Sequence, residues 1–231
     1  MYLLLDIGNT REKAALFDQG EIRTLSHLTA DTLKTLPLAA VYFACVADDS
    51  RLSALQKRLA LDHLPWHQIS SQAKAFGVTN SYAEPQRLGV DRWLGLLAAS
   101  RLYRGQSVMI VDAGTALTID WLDKEGNHLG GWIMPGLRLQ QQSVVQQTAK
   151  VFNTEPIDAQ LLPGTETVSC LQNGCLAALT GAIRQGWLLE KAQVLVFTGG
   201  DAPSLISYLP DLDISPEPLL IFQGLARYID Q

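Results

Sequence analysis

Two short stretches of this 231-residue chain carry the same chemistry. In Asp6-Ile7-Gly8-Asn9-Thr10-Arg11-Glu12-Lys13 an apolar run ends on a carboxylate, a glycine, an amide, a hydroxyl and then an ammonium. Asp112-Ala113-Gly114-Thr115 repeats the ending after the apolar run that begins at Met109. Glycine lets main-chain N–H groups approach a ligand with no Cβ in the way. A nest of such groups favours anions, and an adjoining carboxylate can hold the magnesium ion that travels with a nucleotide's phosphates. One isolated Asp-x-Gly is ordinary turn chemistry; two at equivalent places, one with Lys13 added, favour phosphate binding. Neither is a Walker loop or a dinucleotide fingerprint, since no GxxxxGK[ST] or GxGxxG occurs.

The elements that must hold these turns are themselves repeated. "LLLDIGNTREKAALFDQGEI" and "MIVDAGTALTIDWLDKEGNHL" both read as strand, tight turn, strand, Gly-turn, strand. The copies divide the chain almost in half, so two domains are expected, 1–105 and 106–231. In the first, helical patterns follow at about 49–61 and 90–103 around an apolar strand at 39–46. In the second, helices are expected at about 136–149 and 168–191, then the strand "QVLVF" at 193–197 and a last helix near 219–229. Each half is therefore α/β with a mixed sheet. The polar, turn-rich segment 70–89 shows no clear period and reads as a loop, with a substrate-binding role favoured by its length.

Composition excludes several classes. With 47% hydrophobic and 18% charged residues the chain can bury one large core or two small ones. Its formal charge of -5, without a basic run, argues against a nucleic-acid surface. The longest apolar run, Ala39 to Ala47, is far shorter than the roughly 20 residues of a membrane span. No basic region precedes the N-terminal leucines and Asp6 interrupts them, so a cytoplasmic location is expected and no membrane partner. Cys45, Cys170 and Cys175 form no CxxC pair and read as free, mostly buried thiols. The four histidines show no ligand spacing and receive no chemistry. Gly174, Gly181 and Gly186 are expected to permit close helix packing, with a subunit contact as one use.

Read in order, "DIGNTREK", "DAGTALTID" and "TGGDA" at 198–202 resemble the two phosphate motifs and the adenosine motif of the superfamily containing actin, sugar kinases and heat-shock chaperone ATPases. "GVDRW" at 89–93, "GGWIMPG" at 130–136 and "TVSCLQNG" at 167–174 narrow the likeness to the type III pantothenate kinases. Each motif alone is weak, but six in the same order are a strong signal.

That resemblance implies two tandem ribonuclease H-like domains of the actin-like ATPase fold, with mixed sheets and ATP in a cleft between them. It implies phosphorylation of pantothenate at the start of coenzyme A synthesis, magnesium with ATP, a monovalent cation (potassium or ammonium) and a homodimer. On the ATP side it implies Asp6, Ile7, Gly8, Asn9, Thr10, Arg11, Glu12 and Lys13 as the first phosphate loop, with Asp6 the magnesium partner through water. Lys13 otherwise reads as a solvated lysine at a strand start. Asp112 falls where the family holds its monovalent cation, beside Gly114, and Thr115 is an ATP contact. Thr118 and Asp120 continue the motif, though strand alternation accounts for them equally. Thr198, Gly199 and Gly200 would lie against adenine and ribose, or form a plain turn ahead of a helix at Asp201.

On the acceptor side the resemblance implies Tyr82, Gly89, Val90, Asp91, Arg92 and Thr167 as pantothenate contacts, with Asp91 the catalytic base. Asp91 also reads as a helix N-cap or first-turn acid. The helix dipole would keep it ionised and able to accept a proton. Arg92 offers a fork for the substrate carboxylate. Two other functions are open at this stage: a different phosphotransferase or phosphatase of the superfamily, and a non-catalytic ATP-binding regulator.

Overall fold

The computed structural model describes residues 1–8, 11–46, 49–147 and 159–229. Along the chain run β1 (Tyr2–Ile7), β2 (Glu12–Asp18), β3 (Glu21–Leu25), α1 (Ala30–Lys34), β4 (Val41–Cys45), α2 (Asp49–Leu59) and β5 (Trp66–Gln68). A hairpin of β6 (Lys74–Ala75) and β7 (Val78–Thr79), a 3-10 turn at Pro85–Arg87 and α3 (Val90–Leu102) follow. Then come β8 (Val108–Ala113), β9 (Ala116–Leu122), β10 (His128–Pro135), α4 (Leu137–Gln147), α5 (Thr167–Glu190) and β11 (Val194–Thr198). The chain continues through α6 (Ala202–Ile206), β12 (Ile214–Pro216) and α7 (Leu220–Ala226).

The residues form two compact units. One contains Met1–Arg104, the turn Glu125–His128 and the C-terminal segment from Leu219; the other contains Gly105–Lys124 and Leu129–Pro218. Each is built on a five-stranded sheet, ordered β3-β2-β1-β4-β5 in the first and β10-β9-β8-β11-β12 in the second. In both, three antiparallel strands from the repeated opening are extended by two parallel strands. The orders correspond strand for strand, which makes the units two ribonuclease H-like domains in tandem.

In the first unit β1 is apolar on both faces because both faces are covered. Leu3, Leu5 and Ile7 pack with Val41, Phe43 and the inner residues of α1 and α2, while α7 lies against β1 and β4. Helix α3 is buried along nearly its whole length from Val90 to Ala99, so its apolar residues surround the axis instead of forming one stripe. Each such Leu or Trp contributes roughly 1.5–3 kcal/mol on burial, which makes α3 a rigid mount for whatever stands at its N-terminus.

In the second unit Met109, Val111, Ala113, Leu117, Ile119 and Trp121 meet Leu176, Leu179 and Ile183 of α5. The glycines of α5 have different surroundings. Gly186 packs on the sheet, where an added Cβ would lie 3.0 Å from Met109 and Trp121, and Gly174 and Gly181 have nothing within 4 Å. Among the described residues no helix is long and apolar enough to cross a membrane. The cysteines are free, but Cys175 alone is buried; Cys45 is half-buried and Cys170 exposed.

Candidate active site

The first loop is a strand-end turn in the first unit. Asp6 and Lys13 are direct partners in the β1–β2 register, with Nζ and Oδ2 3.9 Å apart. The Gly8 N–H donates to the Arg11 carbonyl at 3.0 Å and closes the turn; Asn9 and Thr10 lie outside the described residues. Ile7 is fully buried in the core, so its main chain is what it can offer a ligand. Arg11 is exposed, and Glu12 is held by Arg51 at 3.7 Å and by Arg58 on α2. Burial raises the Asp6 carboxyl above its ordinary range, Lys13 opposes that rise and the charge of Asp91 adds to it.

Asp91 stands in the first turn of α3, with Gly89 at the N-cap. Its Oδ1 accepts from the Arg92 main-chain N–H at 2.8 Å. The carboxylate folds back over Gly89, where a Cβ would sit 2.6 Å from Oδ1. Val90 is buried and presents its backbone alone. Arg92 is only 7% exposed. Its Nη1 donates to the Tyr82 hydroxyl at 3.0 Å, and its guanidinium carbon lies 5.8 Å from the centre of the Tyr82 ring. Segment 70–89 is thus ordered: a hairpin turns at Phe76 and Gly77, and the buried Asn80 donates to the Gln72 and Pro85 carbonyls at 3.2 Å while accepting from the Tyr82 N–H at 3.0 Å.

Residues of this unit that the sequence left without a role tie α3 and segment 70–89 to the C-terminal segment. Arg227 donates to the Leu97 carbonyl and Ser100 Oγ on α3 and to the Phe76 carbonyl at 3.2 Å. Trp93 Nε1 donates to the Tyr228 hydroxyl at 3.2 Å. Position in the sequence gives no hint of these, because the C-terminal segment joins the first unit only in three dimensions.

The second unit assembles its own loop. Asp112 is the penultimate residue of β8 and pairs with Thr118 on β9 and Thr198 on β11. The Gly114 N–H donates to the Ala116 carbonyl at 3.0 Å, and the Gly136 N–H, from "GGWIMPG", donates to the Thr115 carbonyl at 2.9 Å. Gly199 has φ +96, and a Cβ there would lie 2.2 Å from the Ala113 carbonyl and 2.5 Å from Asp112 Oδ1. "DAGT" and "TGGD" are therefore in contact, joined also by the Asp201 N–H donating to the Ala113 carbonyl at 2.9 Å. Gly200 has open space around it, Thr198 is buried under the loop and Asp120 is buried within β9. Thr167, exposed in the first turn of α5, also belongs to this unit. Its helix opens with a capping box between Glu166 and Ser169.

Comparison with known proteins bears on the family and the fold. The family model of type III pantothenate kinases matches residues 2–188. The type III pantothenate kinase of Pseudoalteromonas translucida is 37% identical over 237 residues, covering 100% of this chain and 97% of its own. Among solved structures, a Baf family transcriptional activator from Campylobacter jejuni superposes with a TM-score of 0.63 at 25% identity, covering 99% of this chain and 97% of its own. The activator of 2-hydroxyisocaproyl-CoA dehydratase from Clostridium difficile, with bound ADPNP, shares the fold at a TM-score of 0.52 and 14% identity, covering 98% and 93%.

Proposed function

The chain belongs to the type III pantothenate kinase family, and we propose how its residues divide the work of the reaction. That reaction is the ATP-dependent phosphorylation of pantothenate, the first step of coenzyme A synthesis, and ATP enters it with a divalent metal. The observation that carries the assignment is the convergence, within one unit, of the phosphate-loop carboxylate Asp6 with Asp91 at the head of a buried helix.

Asp91 takes the proton of the acceptor hydroxyl as that oxygen bonds to the γ-phosphorus of ATP and ADP departs. Its Oδ1 is engaged by the Arg92 N–H, and Oδ2 is the oxygen assigned to the substrate. Arg92 receives the pantothenate carboxylate, oriented by Tyr82, while Gly89 and Val90 present main chain to it. Thr167 completes the acceptor contacts. Gly8, Asn9, Thr10, Arg11 and Lys13 cradle phosphate, Glu12 offering that loop its main chain alone because Arg51 and Arg58 hold its carboxylate; Thr115 in the second unit also contacts ATP, and Gly199 and Gly200 lie against adenosine.

The divalent metal in this assignment is magnesium. No group of three or more His, Cys, Asp or Glu side chains among the described residues is arranged to hold a resident metal. One buried carboxylate beside a phosphate loop suits magnesium, which keeps most of its waters and rides on substrate phosphates. Asp6 would hold it through water, and the ion would neutralise charge building on the phosphates. Asp112 takes the monovalent cation, potassium or ammonium, in the second unit. The protein acts as a cytoplasmic homodimer.

A coupled ADP-release assay with pantothenate and a panel of sugars tests the assignment. Turnover with pantothenate alone supports it, and turnover confined to a sugar overturns it.

A further inference from the structure

His128 opens β10 after the turn of the second repeat, and it folds with the first unit. It is 3% exposed, on the inward phase of a strand that also carries Trp132 and Met134. Burying an imidazole has a cost unless its nitrogens are satisfied. Here Nδ1 shares a hydrogen bond with Ser81 Oγ at 3.0 Å. The ring lies nearly parallel to that of Tyr82, 16° between planes and 6.2 Å between centres. Tyr82 in turn accepts from Arg92 at 3.0 Å. Two consecutive residues of the acceptor segment, Ser81 and Tyr82, are thus gripped by one histidine, by hydrogen bond and by ring face.

We propose that His128 is a positioning residue for pantothenate capture: it fixes the Tyr82 ring, and through that ring the direction of the Arg92 guanidinium, without itself touching substrate. The inference rests on the assignment of Arg92 and Tyr82 to the acceptor site. A fork that must meet a carboxylate through two parallel N–H groups tolerates little rotation. Arg92 carries a long side chain, and the Tyr82 hydroxyl directs its Nη1 only as well as Tyr82 is held. Asn80 fixes the Tyr82 backbone; His128 fixes the ring. Loss of His128 should therefore act on pantothenate and leave ATP alone, a division that simple loss of stability would not produce.

The test is steady-state kinetics on the full-length enzyme. His128→Asn keeps a hydrogen-bonding partner near Ser81 but removes the ring face; His128→Phe keeps the face but removes the bond. Ser81→Ala, at an exposed position, removes the bond with little burden on folding. The expected result is a pantothenate KM raised about three- to tenfold in each histidine variant, and less in Ser81→Ala, the size of one lost hydrogen bond or ring contact. The ATP KM and kcat should stay within about twofold. In a Tyr82→Ala background His128→Asn should add almost nothing, because the effect runs through that ring. Unchanged pantothenate KM in the folded variants, equal rises for both substrates, or full additivity with Tyr82→Ala would each overturn the inference. Should the histidine variants fail to fold, Ser81→Ala decides it: a pantothenate KM equal to wild type counts against. Arg92→Ala is the control; if it too leaves the pantothenate KM unchanged, the acceptor-site assignment has failed, whereas a rise there with none at His128 removes this inference alone.

Discussion

The carboxylate of Asp91 lies close enough to that of Asp6 for its charge to reinforce the rise in the Asp6 pKa that burial begins and Lys13 opposes. Both acids stand in the first unit, where burial already disfavours the charged form of Asp6. The arrangement is costly to the fold without ligands.

That cost has a sign. A carboxyl whose folded pKa is raised contributes stability that is complete below its unfolded pKa and is lost as pH rises through the folded one. Asp6 therefore weakens the free protein as it ionises. Asp6→Asn should raise the melting temperature at pH 7, with the gain shrinking below about pH 4, the ordinary range of an Asp carboxyl. Turnover should fall by about 10²–10³, the usual loss when a preorganised charge is removed. Melting curves across pH check the first claim and kinetics the second; a lower melting temperature at neutral pH would contradict the electrostatic account.

Arg92 should resist conservative exchange. A lysine carries the charge but neither the planar fork nor the contact with the Tyr82 ring. Arg92→Lys and Arg92→Ala should both raise the pantothenate KM, by about tenfold or more, with smaller effects on kcat. Near-normal KM in the lysine variant would show that charge alone suffices.

Gly199 should not accept a side chain. Its φ of +96 strains any other residue, and the Cβ would meet the Ala113 carbonyl at 2.2 Å. Gly199→Ala should cost about 1–3 kcal/mol and weaken ATP more than pantothenate. Chemical denaturation together with nucleotide titration measures both, and an alanine variant as stable as the parent would contradict the contact between the two motifs.

Replacing potassium and ammonium by sodium at matched ionic strength should lower turnover steeply, and Asp112→Asn should erase the difference among the salts. Equal rates in all three salts with the parent enzyme would remove the cation from Asp112.

Much of this was legible in the sequence because the chain states its plan twice. The apolar runs that end in Asp-x-Gly at Asp6 and Asp112 announced two like sheets, and the observed strand orders correspond. The helix at Val90 was legible too, from its apolar run. The hairpin in 70–89 was hidden because Phe76, at φ 50, occupies a turn position normally filled by Asn or Gly. His128 has no metal-ligand spacing to single it out. Its phase in "HLGGWIMP", in step with Trp132 and Met134, was the available sign that it points inward. The role of Arg227 had no sequence signal, since it acts on residues more than a hundred positions away.

The turnover of Asp91→Asn separates a proton acceptor from a helix-start acid. Asn preserves the size of the side chain and an oxygen for the Arg92 N–H, yet it cannot accept the hydroxyl proton. The account predicts a folded protein with ordinary ATP and pantothenate binding and a kcat lowered by roughly 10²–10⁴. An Asp91→Asn enzyme that binds both substrates and keeps most of its turnover would contradict it, leaving Asp91 as a first-turn acid of α3.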